Sequence, residues 1–403
     1  MRILLIKRGA MGDILMTTPL IRQLRRQLPE AIIDYCLAKS FATTLANNQH
    51  LSSIIALDDN LFAVKHMLKF FSFAFSIRKQ YDYVFILGKN WQFNLLSNIF
   101  AGIKVGYARE KISRLLLSKY VVYNDINRYH GLYYLDLLQA SGLATPDYTD
   151  VSLDLQVPEQ DKHMVRAKCQ EANLTNFVVV VNSGGNNQYE ASGIRMLPPD
   201  KITSLLKALL AKHQVVLLGG KADKENYLAY ANMLHSPVNL FNWAGKLSLT
   251  QSTYLISLAQ HFYTTDCGAM HLGVSAQLGS KMTCLFGPTH PNHVLPQNKG
   301  FNIYWQDQEI FDPGYPLLGK IKQPQIKYFT TLENRMKNVS RLYDNNIQKL
   351  ASTAQSNRKK DPQVMLKVTS SSDLRRCSLL SKVYARFNRG CYNIRPKTRR
   401  NVI

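Results

Sequence analysis

The chain has 403 residues, more than the roughly 250–300 at which one hydrophobic core stops growing, so two domains are expected. A formal net charge of +23 points to an acidic partner, namely nucleic acid, anionic lipid, or a phosphorylated or carboxylated glycolipid; no aromatic ribonucleoprotein motif or zinc finger supports the first. Cysteines at 36, 169, 267, 284, 377 and 391 form no C-x-x-C pair, which argues against a structural zinc or a disulfide framework and suits a reducing cytosol.

The opening apolar run, Arg2–Lys7, is too short for a signal peptide and reads as a buried strand. Arg8-Gly9-Ala10-Met11-Gly12-Asp13 follows, then a helical pattern with Ile14, Ile21, Leu24 and Leu28 on one face, which Pro19 is expected to kink. The glycines lack the G-x-G-x-x-G spacing, so the loop alone is no nucleotide fingerprint. Asp13 stands where loop meets helix, the place of an N-cap acid.

Alternation continues. Strands are expected at Ile32–Leu37, Ile54–Leu57, Tyr83–Leu87, Lys104–Tyr107 and Tyr120–Tyr123, with helices near Phe41–Asn47, Leu61–Lys79, Trp91–Phe100 and Tyr129–Ser141. Strands separated by helices imply a parallel sheet covered on both faces. The run from Leu61 crowds Phe62, Phe70, Phe71, Phe73 and Phe75 beside Lys65, Lys69, Arg78 and Lys79. It reads either as a buried helix or as one lying at a lipid interface, and its charges exclude a bilayer span.

Thr145–Val157 lacks periodicity and is expected to begin a linker. A β-branched strand, Phe177–Asn182, then ends in Ser183-Gly184-Gly185-Asn186-Asn187, a turn able to offer N–H groups to phosphate. Helix Asp200–Lys212, strand Val215–Leu218, Gly219-Gly220, and Asp223 and Glu225 at the start of another helix come next. Ser248-x-x-Gln251 reads as a capping box for a helix to Ala259. The run His261–Thr265 delivers Asp266-Cys267-Gly268 into a sharp turn, and a helix with Met270, Leu272, Val274 and Leu278 starts at once. Such a helix N-terminus suits a phosphate or diphosphate, although a lone D-x-G also marks a plain capped helix. Strand Met282–Phe286 ends in Gly287-Pro288-Thr289, so two neighbouring strand ends face one crevice. Thr330-x-x-Glu333 is expected to cap a helix through Tyr343. Residues 351–403 are rich in Lys and Arg, with only Asp361 and Asp373 as acids, and read as a basic, partly disordered tail.

Asp266-Cys267-Gly268-Ala269-Met270-His271 together with Phe286-Gly287-Pro288-Thr289-His290-Pro291 resembles the donor-site signature D-T-G-x-x-H and F-G-P-T-x-P of the family 9 glycosyltransferases, the ADP-heptose lipopolysaccharide heptosyltransferases. Cys267 stands where that signature has Thr. Lys7 to Asp13 resembles the family's K-x-x-x-x-G-D segment, whose Asp is the proposed catalytic base. The resemblance covers about residues 1–345 and implies a GT-B fold: two Rossmann-like, doubly wound α/β domains facing a central cleft. Residues 1–160 would bind the acceptor, 170–345 the nucleotide sugar, and 351–403 would be the basic C-terminal extension.

The implied reaction is an inverting transfer of heptose from ADP-heptose to an acidic, Kdo-lipid A type acceptor of the lipopolysaccharide inner core. The implied place is the cytoplasmic face of a Gram-negative inner membrane, on an anionic surface. Asp13 would be the base, and Arg195, in Arg195-Met196-Leu197-Pro198, would stand for the Lys of the family's K-x-W-P as a cation beside the diphosphate. Implied donor contacts are Ser183, Gly184, Gly185, Asp266, Cys267, Gly268, Met270, His271, Gly287, Pro288 and Thr289, with Asp223 or Glu225 at the ribose. Implied acceptor contacts are Lys7, Arg8, Gly12 and His130. Asp223 and Glu225 read equally as helix N-terminal acids, and His130 as a surface or capping residue. Trp243-Ala244-Gly245-Lys246 resembles the family's A-G-K loop and is read as structural. With no D-x-D at a strand end, no metal and no cofactor are expected. A transferase for another sugar or acceptor, a catalytically idle homologue that binds nucleotide or membrane, and, on the tail alone, a nucleic-acid binder are the rival readings.

Overall fold

The structure is a computed structural model that describes residues 1–62, 67–88, 94–95, 97–108, 111–122, 128–184, 193, 195–287 and 289–305. Gly185, Pro288, the helix expected from Thr330 and the tail 351–403 lie outside the described residues.

The first half forms a sheet of β1 (Arg2–Ile6), β2 (Ile32–Ala38), β3 (Ser53–Leu57), β4 (Tyr83–Ile86), β5 (Ile103–Ala108) and β6 (Lys119–Val122). The second forms a sheet of β7 (Phe177–Val181), β8 (Gln214–Leu217), β9 (Leu240–Asn242), β10 (Phe262–Thr265), β11 (Met282–Phe286) and β12 (Asn302–Trp305). Strand orders are β3-β2-β1-β4-β5-β6 and β12-β11-β10-β7-β8-β9, and every pairing is parallel. Each half therefore places its first strand at the centre and reverses the order beside it. That reversal opens a crevice at the carboxyl ends of β1 and β4, and of β7 and β10. Two doubly wound Rossmann-like sheets of this kind are the GT-B architecture.

Pleating assigns alternate residues to opposite faces. Ile3 and Leu5 pack with α1 (Met11–Leu15), α2 (Thr18–Gln27) and α5 (His130–Ser141), through Ile14, Ile21, Leu24, Tyr134 and Leu138. Leu4 and Ile6 pack on the other face with Ala74, Tyr81, Val84, Ile86 and Leu117. In the second half, Val178 and Val180 meet α7 (Pro199–Leu210) and α8 (Lys224–Met233) through Ile202, Leu206, Tyr227 and Tyr230. Val179, Val181, Phe262 and Phe286 join the cluster that holds Ile3 and Leu5, so one apolar core runs through both halves.

Local details depart from the periodicity. The first expected helix is two helices, and Pro19 lies in the opening turn of α2, where its missing N–H costs nothing. Thr17 and Thr18 donate from Oγ1 to the carbonyls of Ile14 and Leu15, both at 2.7 Å, which satisfies the break. The run from Leu61 yields a shorter helix, α3 (Met67–Ile77), that buries Ala74 yet leaves Leu68 and Phe75 exposed, so it is not buried as a whole. A short helix, α4 (Lys111–Leu116), and strands β9 and β12 were not legible in the sequence. The segment 145–157 is irregular but anchored: Gln23 Nε2 donates to Asp147 O at 2.9 Å, and Arg22 pairs with Asp150 and Asp154 at 2.6 and 2.5 Å. Behind it, α6 (Glu159–Glu171) packs on α9 (Leu249–Leu258), whose capping box has both bonds, Gln251 N to Ser248 Oγ and Ser248 N to Gln251 Oε1. Among the described residues no helix is long and apolar enough to cross a membrane.

Candidate active site

The loops after β1 and β10, each leaving the carboxyl end of a central strand, meet one another. They do so through α1 and α10 (Gly268–Ser275), and two glycines set the approach. A Cβ on Gly12 would fall onto Cδ2 of His271 and 2.6 Å from its Nε2; one on Gly268 would lie 2.5 Å from Met11 Cε. The two loops thus touch where Gly12 meets the His271 ring, which leaves no room for a side chain at Gly12, whereas at Gly268 only the flexible tip of Met11 stands in the way.

On the first side, Asp13 is not the N-cap. The helix begins at Met11, its N-cap is Ala10, and Asp13 falls in the first turn. Its carboxylate lies 3.2 Å from Lys7 Nζ and is 41% exposed, whereas the Lys7 side chain is 8% exposed. Lys7 stands 5.6 Å over the Tyr134 ring. The buried cation thereby supplies a fixed partner for an acid that still reaches solvent. Burial pushes Tyr134 and Tyr35 far above the usual phenol range, so both are neutral; Tyr35 shares a hydrogen bond with Thr17 Oγ1 at 3.1 Å. Arg8 is exposed, and its carbonyl accepts from Ala38 N at 3.0 Å.

On the second side, Asp266 is buried and pairs with Arg195 at 2.8 Å. The plain capping role is taken from it, because the N-cap of α10 is Cys267, which makes no side-chain cap bond. The Cys267 thiol is buried, 3.8 Å from Thr264 Oγ1, and burial raises its pKa. His271 is 4% exposed. Burial lowers its pKa, with Asp266 and Asp13 pulling upward and Arg195 downward, so the imidazole is neutral near pH 7. Its Nδ1 is buried without a hydrogen-bond partner among the described residues. Met270, by contrast, lies in the core, and its N–H donates to Cys267 O at 3.1 Å.

The neighbouring loops are braced to this turn. Thr265 Oγ1 donates to Ser183 O at 2.6 Å and accepts from Ser183 N at 3.0 Å, which fixes Ser183 and Gly184 beside β10. Asp223 accepts from Gly220 N at 2.8 Å and bonds Ser183; burial raises its pKa against those two bonds. It ties the loops after β7 and β8, whereas Glu225 is exposed in the first turn of α8. Gly245, at φ +72°, donates to Gly219 O at 2.9 Å, so the loop after Trp243 supports the same turn. Gly287 follows the last residue of β11, and Thr289 beyond it is buried, with no partner for Oγ1 among the described residues.

His130, the first residue of α5, stacks on His293 of α11 (Pro291–Val294) with ring centroids 5.4 Å apart and planes 9° apart. His293 in turn lies 5.2 Å from His290. His130 therefore stands at the edge between the halves. His293, Thr265 and Tyr134 escaped the sequence reading; the i, i+3 spacing of His290 and His293 was the one available signal.

The structure thus gathers Lys7, Gly12 and Asp13 on one side of a closed contact and Arg195, Asp266, Gly268 and His271 on the other. A family profile described as glycosyltransferase family 9 (heptosyltransferase) matches residues 70–311. Lipooligosaccharide heptosyltransferase 2 of Haemophilus ducreyi is 24% identical over 313 residues, spanning 74% of this chain and 87% of its own. A family 9 glycosyl transferase from Veillonella parvula shares the fold with a TM-score of 0.63 at 19% identity, covering 75% of this chain and 85% of that one. For the ADP-heptose lps heptosyltransferase II of Escherichia coli the values are 0.61 and 21%, with 75% and 90% covered. The family profile spans more than half of the chain, and on that ground this protein is a glycosyltransferase that belongs to family 9, the heptosyltransferases.

Proposed function

We propose that this glycosyltransferase moves heptose from ADP-heptose to an acidic, lipid-linked saccharide of the lipopolysaccharide inner core by an inverting single displacement that needs no metal ion. The observation that carries the reading is the juxtaposition across Gly12 and His271. It sets a carboxylate from one half, Asp13, against a half-buried cation, Arg195, a neutral imidazole and a helix N-terminus from the other.

Asp13 accepts the proton of the acceptor hydroxyl, whose oxygen attacks the anomeric carbon of the heptose. The bond from that carbon to the diphosphate oxygen breaks with inversion, and the electron pair leaves on ADP. Charge develops on the departing diphosphate, where Arg195 and the positive end of α10 stabilise it. Asp266 holds Arg195 in place, so the cation is set before the donor arrives. The unpartnered Nδ1 of His271 offers one further hydrogen bond inside the contact. Lys7 holds the Asp13 carboxylate toward the cleft. Metal independence is part of the proposal and rests on Arg195, a cation fixed by Asp266 where the diphosphate charge would develop. The Escherichia coli protein that shares this fold is an ADP-heptose enzyme, which supports the donor. A lipid-linked acceptor places the chain on the cytoplasmic leaflet, and the dense Lys and Arg of 351–403 suit an anionic surface.

Mass spectrometry of product from ADP-heptose and a Kdo-bearing lipid acceptor tests the reaction, paired with Asp13→Asn. General-base catalysis contributes about 10²–10⁴-fold, so kcat is expected to fall by that range while the melting temperature stays near wild type. Wild-type turnover by Asp13→Asn removes Asp13 from the mechanism, and absence of heptosylated product removes the donor and acceptor assignment.

A further inference from the structure

Two helices on one face of the first sheet turn bulky apolar side chains to solvent. In α3, Ala74 is fully buried, and Phe71, Phe73 and Ile77 pack on the cluster around Leu4, Ile6, Val84 and Ile86. Its opposite stripe carries Leu68, 83% exposed, and Phe75, 58% exposed, among Lys69, Ser72, Ser76 and, just past the helix, Lys79. The Arg78 guanidinium lies 3.5 Å over the Phe75 ring.

In α4 the pattern repeats. Ser113 is buried, and Leu117 just beyond the helix joins the same cluster, near enough that a Cβ on Gly106 would sit 3.0 Å from Leu117 Cδ2 and 3.3 Å from Ile86 Cβ. Both helices therefore cover one face of one sheet. The outward residues of α4 are Lys111, Ile112, Arg114 and Leu115, the last 86% exposed. No Asp or Glu occurs in residues 67–79 or 111–122.

We propose that the outer faces of α3 and α4 form the surface by which the protein docks on an anionic lipid bilayer. The proposal deepens the lipid-linked acceptor reading and rests on it for its setting; the choice of occupant comes from the side chains. Exposed Leu, Ile and Phe supply burial into the acyl boundary, while Lys and Arg carry long apolar stems and leave their charges among the headgroups. Lys69, Lys79, Lys111 and Arg114 flank the apolar side chains with no acid within either helix, a uniformly positive surround. Charge complementarity thus favours an anionic lipid surface over a protein.

The test uses the full chain and sedimentation with vesicles of phosphatidylcholine alone or mixed with phosphatidylglycerol. Two variants are compared, Leu68→Ser/Phe75→Ser/Leu115→Ser and Lys69→Glu/Lys79→Glu/Arg114→Glu. Each cation near an anionic surface contributes about fivefold, so either variant is expected to lose about tenfold or more of its binding to mixed vesicles. All six positions are exposed, and the charge set serves if the apolar set melts early. Wild-type vesicle binding by the variants overturns the proposal. So does a loss of self-association in sedimentation velocity with vesicle binding intact, which makes the patch a protein interface. Transfer to a water-soluble acceptor fragment without vesicles reads the reaction separately. Its failure in the wild type counts against the proposed chemistry, and unchanged vesicle binding counts against the surface.

Discussion

Replacing Gly12 by Ala sets two effects of opposite sign against each other. Gly12 sits in α1 without a positive φ, so Ala fits the backbone and, in an isolated helix, stabilises by about 0.5–1 kcal/mol. The added methyl, however, would lie 2.6 Å from His271 Nε2 and closer still to Cδ2, where ordinary contact is 3.4–4 Å. His271 is 4% exposed and enclosed, so the strain is relieved by moving α1 off α10. Overpacking of this kind costs about 1–3 kcal/mol, more than the helix gains, and Gly12→Ala is expected to destabilise by about 1–2 kcal/mol net. Because the movement parts Asp13 from the donor side by about 1 Å, turnover is expected to drop by about 10². Gly268→Ala meets only the mobile tip of Met11 and is expected to be milder. The assay is urea denaturation of Gly12→Ala, His271→Ala and the double variant, with kinetics alongside. Removing the ring should abolish the penalty, a coupling of about 1–3 kcal/mol. A Gly12→Ala protein as stable and active as wild type, or strictly additive with His271→Ala, would refute the closed contact.

Two further outcomes are expected. Arg195→Met strands the buried Asp266 carboxylate and is expected to cost about 3–5 kcal/mol in chemical denaturation and to abolish stabilisation by ADP; wild-type stability with an intact ADP shift contradicts the assigned pair. Burial lowers the pKa of His261 to about 4, with Nε2 2.7 Å from Thr283 Oγ1. The unfolded chain then binds this proton first as pH drops below about 6.5, so stability is complete above that value and falls by about 3 kcal/mol toward pH 4. His261→Gln should flatten that slope in acid titrations of the unfolding free energy, and an unchanged slope would show that the imidazole is not the group responsible.

The chain's local grammar and, through two short motifs, its family were legible in the residues alone. The valine run ending at Val181, the capping box at Ser248 and the turn between Thr265 and Gly268 are visible because strand period, cap chemistry and glycine freedom act over a few residues. Even there, one hydrogen bond changed a role: the helix expected to begin at Asp13 begins at Met11, which makes Ala10 the cap and leaves the acid to Lys7. Folding sets the rest: β1 and β10 lie centrally, His271 fills the space a Gly12 side chain would need, Asp266 faces Arg195, and His130 meets His293. It also decided that α3 presents Leu68 and Phe75 to solvent, where its composition alone suited burial equally well. An apolar period states which face of an element avoids water, while the neighbour that covers that face, and the cation that meets the Asp266 carboxylate, come from distant parts of the chain, as with Gly12 and His271 or Arg195 and Asp266.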